Sequence, residues 1–192
     1  MYARSGMAYP AKTDRQAILS AALEQLARNG MRALSLRGLA ASLGIAPNAL
    51  YRYFANRAEL EVAMAAESAR RLYLTLRRAA GRKEPGKAIR SMAVAYVRFA
   101  REHSHLYQML MEPCGTSFEG VSIHQELWSF VVDQMALVST PAHAREEAVA
   151  LWAFLHGITA LESAQLLGEE KPCSGFEFGL NALLAAAAAV RG

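Results

Sequence analysis

The stretch "SLRGLAASLGIAPNALYRYFANRAEL", residues 35–60, carries two short apolar patterns on either side of a glycine. Helical spacing relates the apolar side chains of the first pattern: Leu36, Leu39, Ala40 and Leu43. Gly44 then ends this pattern with the residue type that best tolerates a positive φ. In the second pattern Pro47 suits a first helical turn, where its missing N–H is not needed. Two short helices joined by a tight turn are predicted.

The second of these helices is rich in aromatic and basic side chains. If Leu50 and Phe54 face inward, helical spacing turns Tyr51 and Arg52 outward, together with Asn48. A short helix, a glycine-containing turn and a second short helix with this exterior describe a helix-turn-helix, whose second helix enters the major groove of DNA. The alternative is a structural corner with solvated arginines around it.

A further helix is predicted ahead of this pair. Thr13 and Gln16 form a capping box, apolar residues follow at helical spacing as far as Leu26, and Gly30 stops the helix. Ser35 is expected to cap the next helix. The N-terminal residues therefore predict a compact unit of three helices.

The net charge of +4 is unevenly distributed along the chain. Residues 1–60 contain eight basic and three acidic side chains, an excess of +5, whereas residues 61–192 contain 13 basic and 14 acidic ones. Excess positive charge at one end allows counterion release on contact with a phosphate backbone. The N-terminal third is therefore predicted to bind nucleic acid.

Residues 35–60 resemble the DNA-binding signature of the TetR (tetracycline-repressor) family of bacterial transcriptional regulators. The likeness runs from about Asp14 to Leu60 and includes the Leu-Tyr-x-Tyr-Phe core and the Asn-Arg-x-Glu-Leu after it. The resemblance implies an all-α chain of about nine helices that forms a homodimer. It also implies that the DNA-contacting positions are Arg37, Asn48, Ala49, Tyr51, Arg52, Tyr53, Asn56 and Arg57.

Local chemistry supports the last two of these positions. Asn56 can cap a helix that has Glu59 at its third position, and the exposed N–H groups at such a helix start attract an anion. One residue departs from the family pattern. Ala46 stands where many members have serine or threonine, so a hydroxyl cap is missing there.

The resemblance and the helical patterns divide the chain into three parts. Residues 1–12 are predicted to form a flexible arm, residues 13–60 a helix-turn-helix DNA-binding domain, and residues 61–192 a ligand-binding and dimerisation domain. The third part opens with a long amphipathic helix, residues 61–80, that joins the two domains. Further helical segments are expected at residues 87–102, 105–113, 122–138, 141–167 and 176–190.

Soft and aromatic side chains are concentrated in the third part. Unbranched methionines can repack around guests of different shape, and a few polar groups can orient such a guest. We therefore predict a pocket for an apolar or aromatic small molecule between the fifth and eighth helices, although stripes of this kind are commonly plain core. The predicted pocket residues are Met92, Tyr96, Phe99, Tyr107, Met111, Trp128, Met135, Phe154 and His156.

The helix predicted at residues 141–167 is apolar on more than one side, which indicates burial on two faces. With the alanine-rich helix that follows, it is expected to form a four-helix bundle across the two-fold axis of a dimer. The residues predicted at this seam are Leu151, Leu155, Ile158, Leu183 and Leu184. Trp152, His156 and Gly157 also resemble the motif of a C-terminal subclass of the family.

The sequence contains no nucleophile elbow, phosphate-binding loop or metal-binding helix motif. Cys114 and Cys173 lie far apart without metal-ligand spacing. His103 and His105 have only a weak spacing for a metal, and His124, His143 and His156 have no obvious cysteine or acid partner in the sequence. No enzymatic activity, metal or cofactor is therefore predicted. We also expect a cytoplasmic protein, because no apolar stretch suits a signal peptide or a membrane span.

The function favoured by these residues is a repressor released from a palindromic operator by an apolar or aromatic small molecule. The alternative is a helical DNA-binding protein without a small-molecule effector. A closed apolar cavity in the body favours the first function and a solid core favours the second. The residues do not distinguish repression from activation.

Overall fold

The computed structural model describes residues 13–111, 122–166 and 173–190. Within these ranges the regular secondary structure is α-helical, apart from one 3-10 turn, and the predicted all-α class is confirmed. The helices are α1 (Arg15–Asn29), α2 (Leu36–Ser42), α3 (Pro47–Leu50), α4 (Arg57–Ala80), α5 (Pro85–Glu102), α6 (Ser104–Met111), α7 (Ser122–Val138), α8 (Ala144–Ser163) and α9 (Cys173–Ala189). The predicted arm, residues 1–12, and Cys114 lie outside the described residues.

Two predicted helix caps are confirmed. Ser35 Oγ accepts a hydrogen bond from Gly38 N at 3.3 Å where α2 begins, and Asn56 Oδ1 accepts one from Glu59 N at 2.9 Å where α4 begins. The Glu59 carboxylate reaches back and accepts a bond from Ala55 N at 2.6 Å. This reciprocal pair satisfies backbone donors that a helix start otherwise leaves exposed.

The predicted cap of α1 is wrong by one residue. Asp14, not Thr13, caps the helix, and its Oδ1 accepts a hydrogen bond from Ala17 N at 2.8 Å. Asp14 has the extended backbone that a capping residue requires, with φ −122° and ψ 176°. The Thr13 carbonyl accepts a hydrogen bond from the Tyr53 hydroxyl instead, at 2.7 Å.

Helices α1, α2 and α3 form the head, and the first turns of α4 close its core. The fully buried side chains here are Ile18, Leu23, Leu26, Leu39 and Leu60. Gly44, with φ 65°, makes the turn between α2 and α3, which favours glycine because a Cβ strains that conformation. Outside this core the Arg15 guanidinium lies 4.5 Å from the centre of the Phe54 ring and ties α1 to the segment before α4.

Helix α4 runs from the head into the body, which consists of α5 to α9. Its buried residues Met64, Leu72 and Leu76 join the core of the body. The body also contacts the head directly, because α6 packs on the end of α1. There Gly30 has φ 72°, and a Cβ on it would lie 3.1 Å from the His105 ring. A glycine is therefore needed both for the turn and for the close approach.

Ion pairs tie the outer helices of the body to α5. The Arg101 guanidinium binds the Glu162 carboxylate of α8 through two hydrogen bonds, at 2.7 and 2.6 Å. Arg90 binds Glu177 of α9 at 2.7 Å and also contacts Asn181. Paired bonds of this kind fix orientation as well as distance. They hold α8 and α9 in place against α5.

Helix α8 is shorter than predicted at both ends. The predicted start at Pro141 is wrong, because residues 141–143 form a turn and the helix begins at Ala144. At the other end Gln165 takes a positive φ of 56°, which stops the helix before the predicted Leu167. Leu167 itself lies outside the described residues.

Helix α9 approaches α8 through a glycine, and this contact yields a stability prediction. A Cβ on Gly179 would lie 2.4 Å from Cε2 of Phe154, whose ring stacks on Phe176 at 6.3 Å between centroids. Gly179→Ala is therefore expected to lower the free energy of unfolding by about 1 to 3 kcal/mol, measured by chemical denaturation. Gly175→Ala is the matched control, because its Cβ has nothing within 4 Å. Equal stability of the two variants would contradict the predicted clash.

Candidate DNA-binding surface and body cavity

The second helix of the predicted helix-turn-helix presents its polar and aromatic side chains outward. Asn48 and Arg52 are exposed, and 53% of Tyr51 is accessible to solvent. Arg37 of α2 is exposed as well, and within the described residues neither Arg37 nor Arg52 forms an ion pair. Four hydrogen-bonding side chains thus lie on the outside of α2, α3 and the turn residues that follow α3. Such groups can contact phosphates and base edges.

Helix α3 is a short element with a weak start. It spans four residues, Pro47–Leu50, and its capping residue Ala46 makes no side-chain hydrogen bond, as predicted from the missing hydroxyl. Beyond it the chain continues in tight turns, with Arg52 N bonded to Ala49 O at 3.3 Å and Tyr53 N bonded to Leu50 O at 2.9 Å. The recognition residues after position 50 therefore lie on this turn extension.

Two of the predicted DNA-contacting residues face away from the outer surface. Ala49 is half-buried, and Tyr53 is half-buried with its hydroxyl donating to the Thr13 carbonyl at 2.7 Å. This bond connects residues 40 positions apart and fastens the start of α1 to the end of the recognition segment. The structure thus gives the Tyr53 hydroxyl a positioning role inside the head.

The start of α4 lies beside this surface. Asn56 uses its side chain as a helix cap, and Arg57 is exposed with two contacts of its own. Arg57 Nε donates to Glu61 Oε1 at 2.6 Å, and its guanidinium also donates to Leu34 O at 3.3 Å. These contacts hold the Arg57 guanidinium beside the segment that precedes α2. An exposed guanidinium next to a helix start is suited to a phosphate.

A cavity of about 320 Å³ lies in the body between α4, α5, α6, α7 and α8. Its described lining residues are Leu72, Leu76, Ile89, Met92, Ala93, Tyr96, Leu110, Met111, His124, Leu127, Trp128, Val131, Ala148, Leu151, Trp152 and Leu155. Nearly all of these side chains are apolar or aromatic. A cavity of this size and lining is typical of a small-molecule site.

The structure brings four of the predicted pocket residues to this lining: Met92, Tyr96, Met111 and Trp128. The other five lie elsewhere among the described residues. Phe99 packs edge-on against the His103 ring, Phe154 stacks on Phe176, and Met135 lines a second cavity of about 300 Å³ beside α9. Tyr107 and His156 are linked to Tyr96 by hydrogen bonds but do not line the cavity. Sequence reasoning missed Leu72 and Leu76, whose spacing of four on α4 indicates a buried face but not a cavity wall.

A chain of hydrogen bonds runs from the cavity wall to the outside of α8. Trp152 Nε1 donates to Tyr96 Oη at 3.2 Å, the Tyr96 and Tyr107 hydroxyls are 2.9 Å apart, and Tyr107 Oη lies 2.6 Å from His156 Nδ1. Because an indole N–H only donates, Tyr96 Oη is an acceptor at its Trp152 end. If every buried hydroxyl is to donate once, Tyr96 donates to Tyr107 and Tyr107 donates to His156. Burial raises the pKa of both tyrosines, so both remain protonated donors at neutral pH.

This order predicts the effect of removing the central hydroxyl. Tyr107→Phe leaves the buried Tyr96 hydroxyl without its acceptor, so the free energy of unfolding should fall by about 1 to 3 kcal/mol. Tyr73→Phe is the matched control, because the half-buried Tyr73 ring packs on Phe130 and its hydroxyl makes no hydrogen bond within the described residues. The measurement is urea denaturation of both variants. Similar losses, or a smaller loss for Tyr107→Phe, would contradict the donor order.

The predicted seam residues divide between the inside and the edge of the subunit. Leu151 and Leu155 are buried at 6% and 5% exposure and line the cavity, whereas Ile158, Leu183 and Leu184 are half-buried. The assignment of Leu151 and Leu155 to a seam therefore needs correction, since their side chains are covered by their own chain. The outward side chains of α8 and α9 include Val149, Trp152, His156, Ala160, Leu161, Phe178, Ala182, Ala185 and Ala189.

Among the described residues no cluster of three or more histidine, cysteine, aspartate or glutamate side chains is placed to hold a metal ion. Across the same ranges, none of the helices combines the length and the apolar character needed to span a membrane.

The head and the adjoining start of α4 define an all-α protein with an N-terminal helix-turn-helix. Two family models match the chain: the bacterial regulatory proteins of the tetR family over residues 18–64, and a tetracycline-repressor-like C-terminal domain over residues 89–183. The chain belongs to the TetR family. It is a DNA-binding transcriptional regulator and not an enzyme.

One curated relative and two solved structures show how far the likeness extends, the structures in fold alone. An uncharacterised helix-turn-helix transcriptional regulator of Haemophilus influenzae is 28% identical over 167 residues, which cover 81% of this chain and 82% of that protein. A protein of unknown function from a Rhodococcus species has a TM-score of 0.81 at 24% identity, covering 95% of this chain and 99% of its own. A TetR variant from Acinetobacter baumannii in complex with minocycline has a TM-score of 0.69 at 21% identity, covering 94% and 99%.

Proposed function

We propose that this regulator is a homodimeric repressor that an apolar or aromatic small molecule releases from a palindromic operator. The observation that carries the proposal is that one helix, α4, begins at the proposed DNA surface and also lines the cavity. The first residues of α4, Arg57 and its neighbour Asn56, lie at the proposed DNA surface, and the same helix lines the cavity with Leu72 and Leu76. A bound molecule that changes the position of α4 in the body would also change the position of the head.

The direction of the response follows from differential affinity. A ligand shifts an equilibrium only to the extent that it prefers one state over the other. In a dimer the operator fixes the distance between the two recognition segments at about one turn of DNA, ~34 to 36 Å or somewhat more. A ligand that prefers any other spacing of the heads weakens operator binding.

The open face of α8 and α9 supports the dimer in this proposal. Large apolar side chains remain uncovered there, and Phe178 is 78% and Val149 47% exposed. The same two helices also expose small residues, including Ala160, Ala182 and Ala185, which would allow two copies to approach closely. A two-fold interface built from one self-complementary patch is the commonest oligomeric arrangement.

The alternative, a regulator without an effector, predicts a solid body. The cavity favours the ligand-responsive function, because a partly open apolar pocket of about 320 Å³ has the size and lining of a small-molecule site. Genome-wide footprinting of the purified protein would identify the operator. Release of a labelled operator fragment by apolar or aromatic compounds would then test induction. If compounds bind the cavity tightly and leave operator affinity unchanged, induction is excluded and only the DNA-binding function remains.

A further inference from the structure

The described part of the wall of the body cavity carries no formally charged side chain at neutral pH. Its sixteen described lining residues include no lysine, arginine, aspartate or glutamate. Two of them can titrate, and both are held neutral by the same cause. Burial lowers the pKa of the His124 imidazole, which favours the uncharged ring, and burial raises the pKa of the Tyr96 phenol, which keeps its proton.

Two charged side chains of the described residues lie near the cavity, Arg145 and Arg71, and neither of them lines it. The Arg145 guanidinium lies 5.8 Å from the Trp128 ring but is exposed and does not line the cavity. Arg71 of α4 is bonded to Glu67 at 3.1 Å. An ion moved into this space would lose much of its hydration and gain no opposite charge from the described wall, and the cost of that exchange is greater than for a hydrogen-bonding neutral group.

The two tryptophans of the chain both line the cavity. Trp128 of α7 and Trp152 of α8 have ring centroids 6.1 Å apart, with 54° between the ring planes. The Trp152 indole is partly exposed on the outside of α8, and its N–H bond to Tyr96 at 3.2 Å holds one edge of the ring at the cavity wall. Aromatic guests gain offset or edge-on contacts with such rings beyond simple burial.

We propose that the cavity selects uncharged aromatic molecules and rejects anions and cations of the same shape. This selectivity rests on the effector site proposed above and deepens it by stating the charge of the guest. Shape and apolar area alone do not distinguish an amide from the corresponding carboxylate. The absence of charge in the described wall does.

The test uses three probes that share one ring system: 2-naphthamide, 2-naphthoate and 2-naphthylmethylammonium. Binding to the full-length protein is followed by its intrinsic tryptophan fluorescence, since both tryptophans report on this cavity, and by the shift of the melting temperature. The amide should bind at least about 100-fold more tightly than either ion. Equal or tighter binding of naphthoate or the ammonium probe, or failure of the amide to bind, would overturn the proposal.

A variant locates the selectivity in this cavity. Val131 lines the wall and is half-buried, so Val131→Lys places an ammonium group where a guest would lie, and Val131→Met is the uncharged control. The lysine variant should bind naphthoate more tightly than the amide, whereas the methionine variant should keep the preference for the amide. An unchanged preference in a folded Val131→Lys variant would count against this cavity as the selective site.

Operator binding is measured separately, by fluorescence anisotropy of a labelled operator with and without each probe. Tight binding of the amide with no change in operator affinity would support the selectivity and contradict the effector role. Release of the operator by naphthoate or the ammonium probe through this cavity would support the effector role and contradict the selectivity. The two proposals therefore fail in different experiments.

Discussion

Replacing Arg52 with alanine is expected to weaken binding to the specific operator by ~5- to 150-fold, or about 1 to 3 kcal/mol. Arg52 is exposed on the recognition segment and makes no ion pair within the described head, so its guanidinium is available to a base edge or a phosphate. Tyr51→Ala should have an effect of similar size, because more than half of this side chain is exposed beside it. Titration of a labelled operator gives both values.

A control variant with the same loss of charge distinguishes a direct contact between Arg52 and DNA from general electrostatic attraction. Arg28→Ala removes the same unit of positive charge from the head, but Arg28 lies on α1 and pairs with Glu24 at 3.8 Å. It should change specific binding by less than about threefold at moderate salt, since exposed charges away from the DNA are screened. Arg57→Ala should weaken binding to all sequences and reduce the dependence on salt. If Arg28→Ala and Arg52→Ala weaken operator binding equally, the recognition surface has been assigned wrongly.

Phe178→Glu is expected to convert the dimer to monomers at micromolar concentration and to abolish stable operator binding. The Phe178 side chain is 78% exposed on α9, on the face proposed to meet a second copy. In a two-fold interface the substitution places two carboxylates in the seam without partners, and an uncompensated buried charge costs about 3 to 5 kcal/mol. Loss of the dimer also removes one of the two half-site contacts. Sedimentation and operator titration on the same sample measure both effects.

A surface substitution on α4 controls for the effect of added negative charge. Arg78→Glu on the exposed side of α4 changes the net charge by more than Phe178→Glu does, and within the described residues Arg78 forms no ion pair. It should leave the dimer intact. The parent chain sedimenting as a monomer, or a folded Phe178→Glu variant remaining dimeric, would exclude this face as the seam.

Local signals in the sequence predicted the helices and most of their ends. Ser35 and Asn56 cap helices because a short polar side chain can reach an N–H three residues ahead, which depends on neighbouring residues alone. Gly44 turns the chain for the same local reason. Thr13 and Asp14 are adjacent residues that can both cap a helix, and in the structure Asp14 caps α1 while the Thr13 carbonyl accepts the distant Tyr53 hydroxyl.

The sequence predicted which types of residue would line the cavity, but not which individual residues do so. Methionine and aromatic side chains in the body indicated a soft apolar site, and Met92, Tyr96 and Trp128 do line it. Phe99 and Phe154 have the same character and spacing but pack on His103 and Phe176 instead. Periodicity states which face of a helix is apolar, but it does not state which neighbour covers that face or whether a space remains beneath it.

The sequence by itself determined the class of the protein, the head with its outward Tyr51 and Arg52, and the joining helix, because capping, turn chemistry and helical spacing act within a few residues. Only the tertiary structure decided which side of α8 is inside. Leu155 turns into the cavity, and His156, its neighbour, lies outside and meets the cavity wall only through Tyr107. The reason is physical: α8 is apolar on more than one side, so its own pattern allows several orientations, and the contacts with α5, α7 and α9 select one.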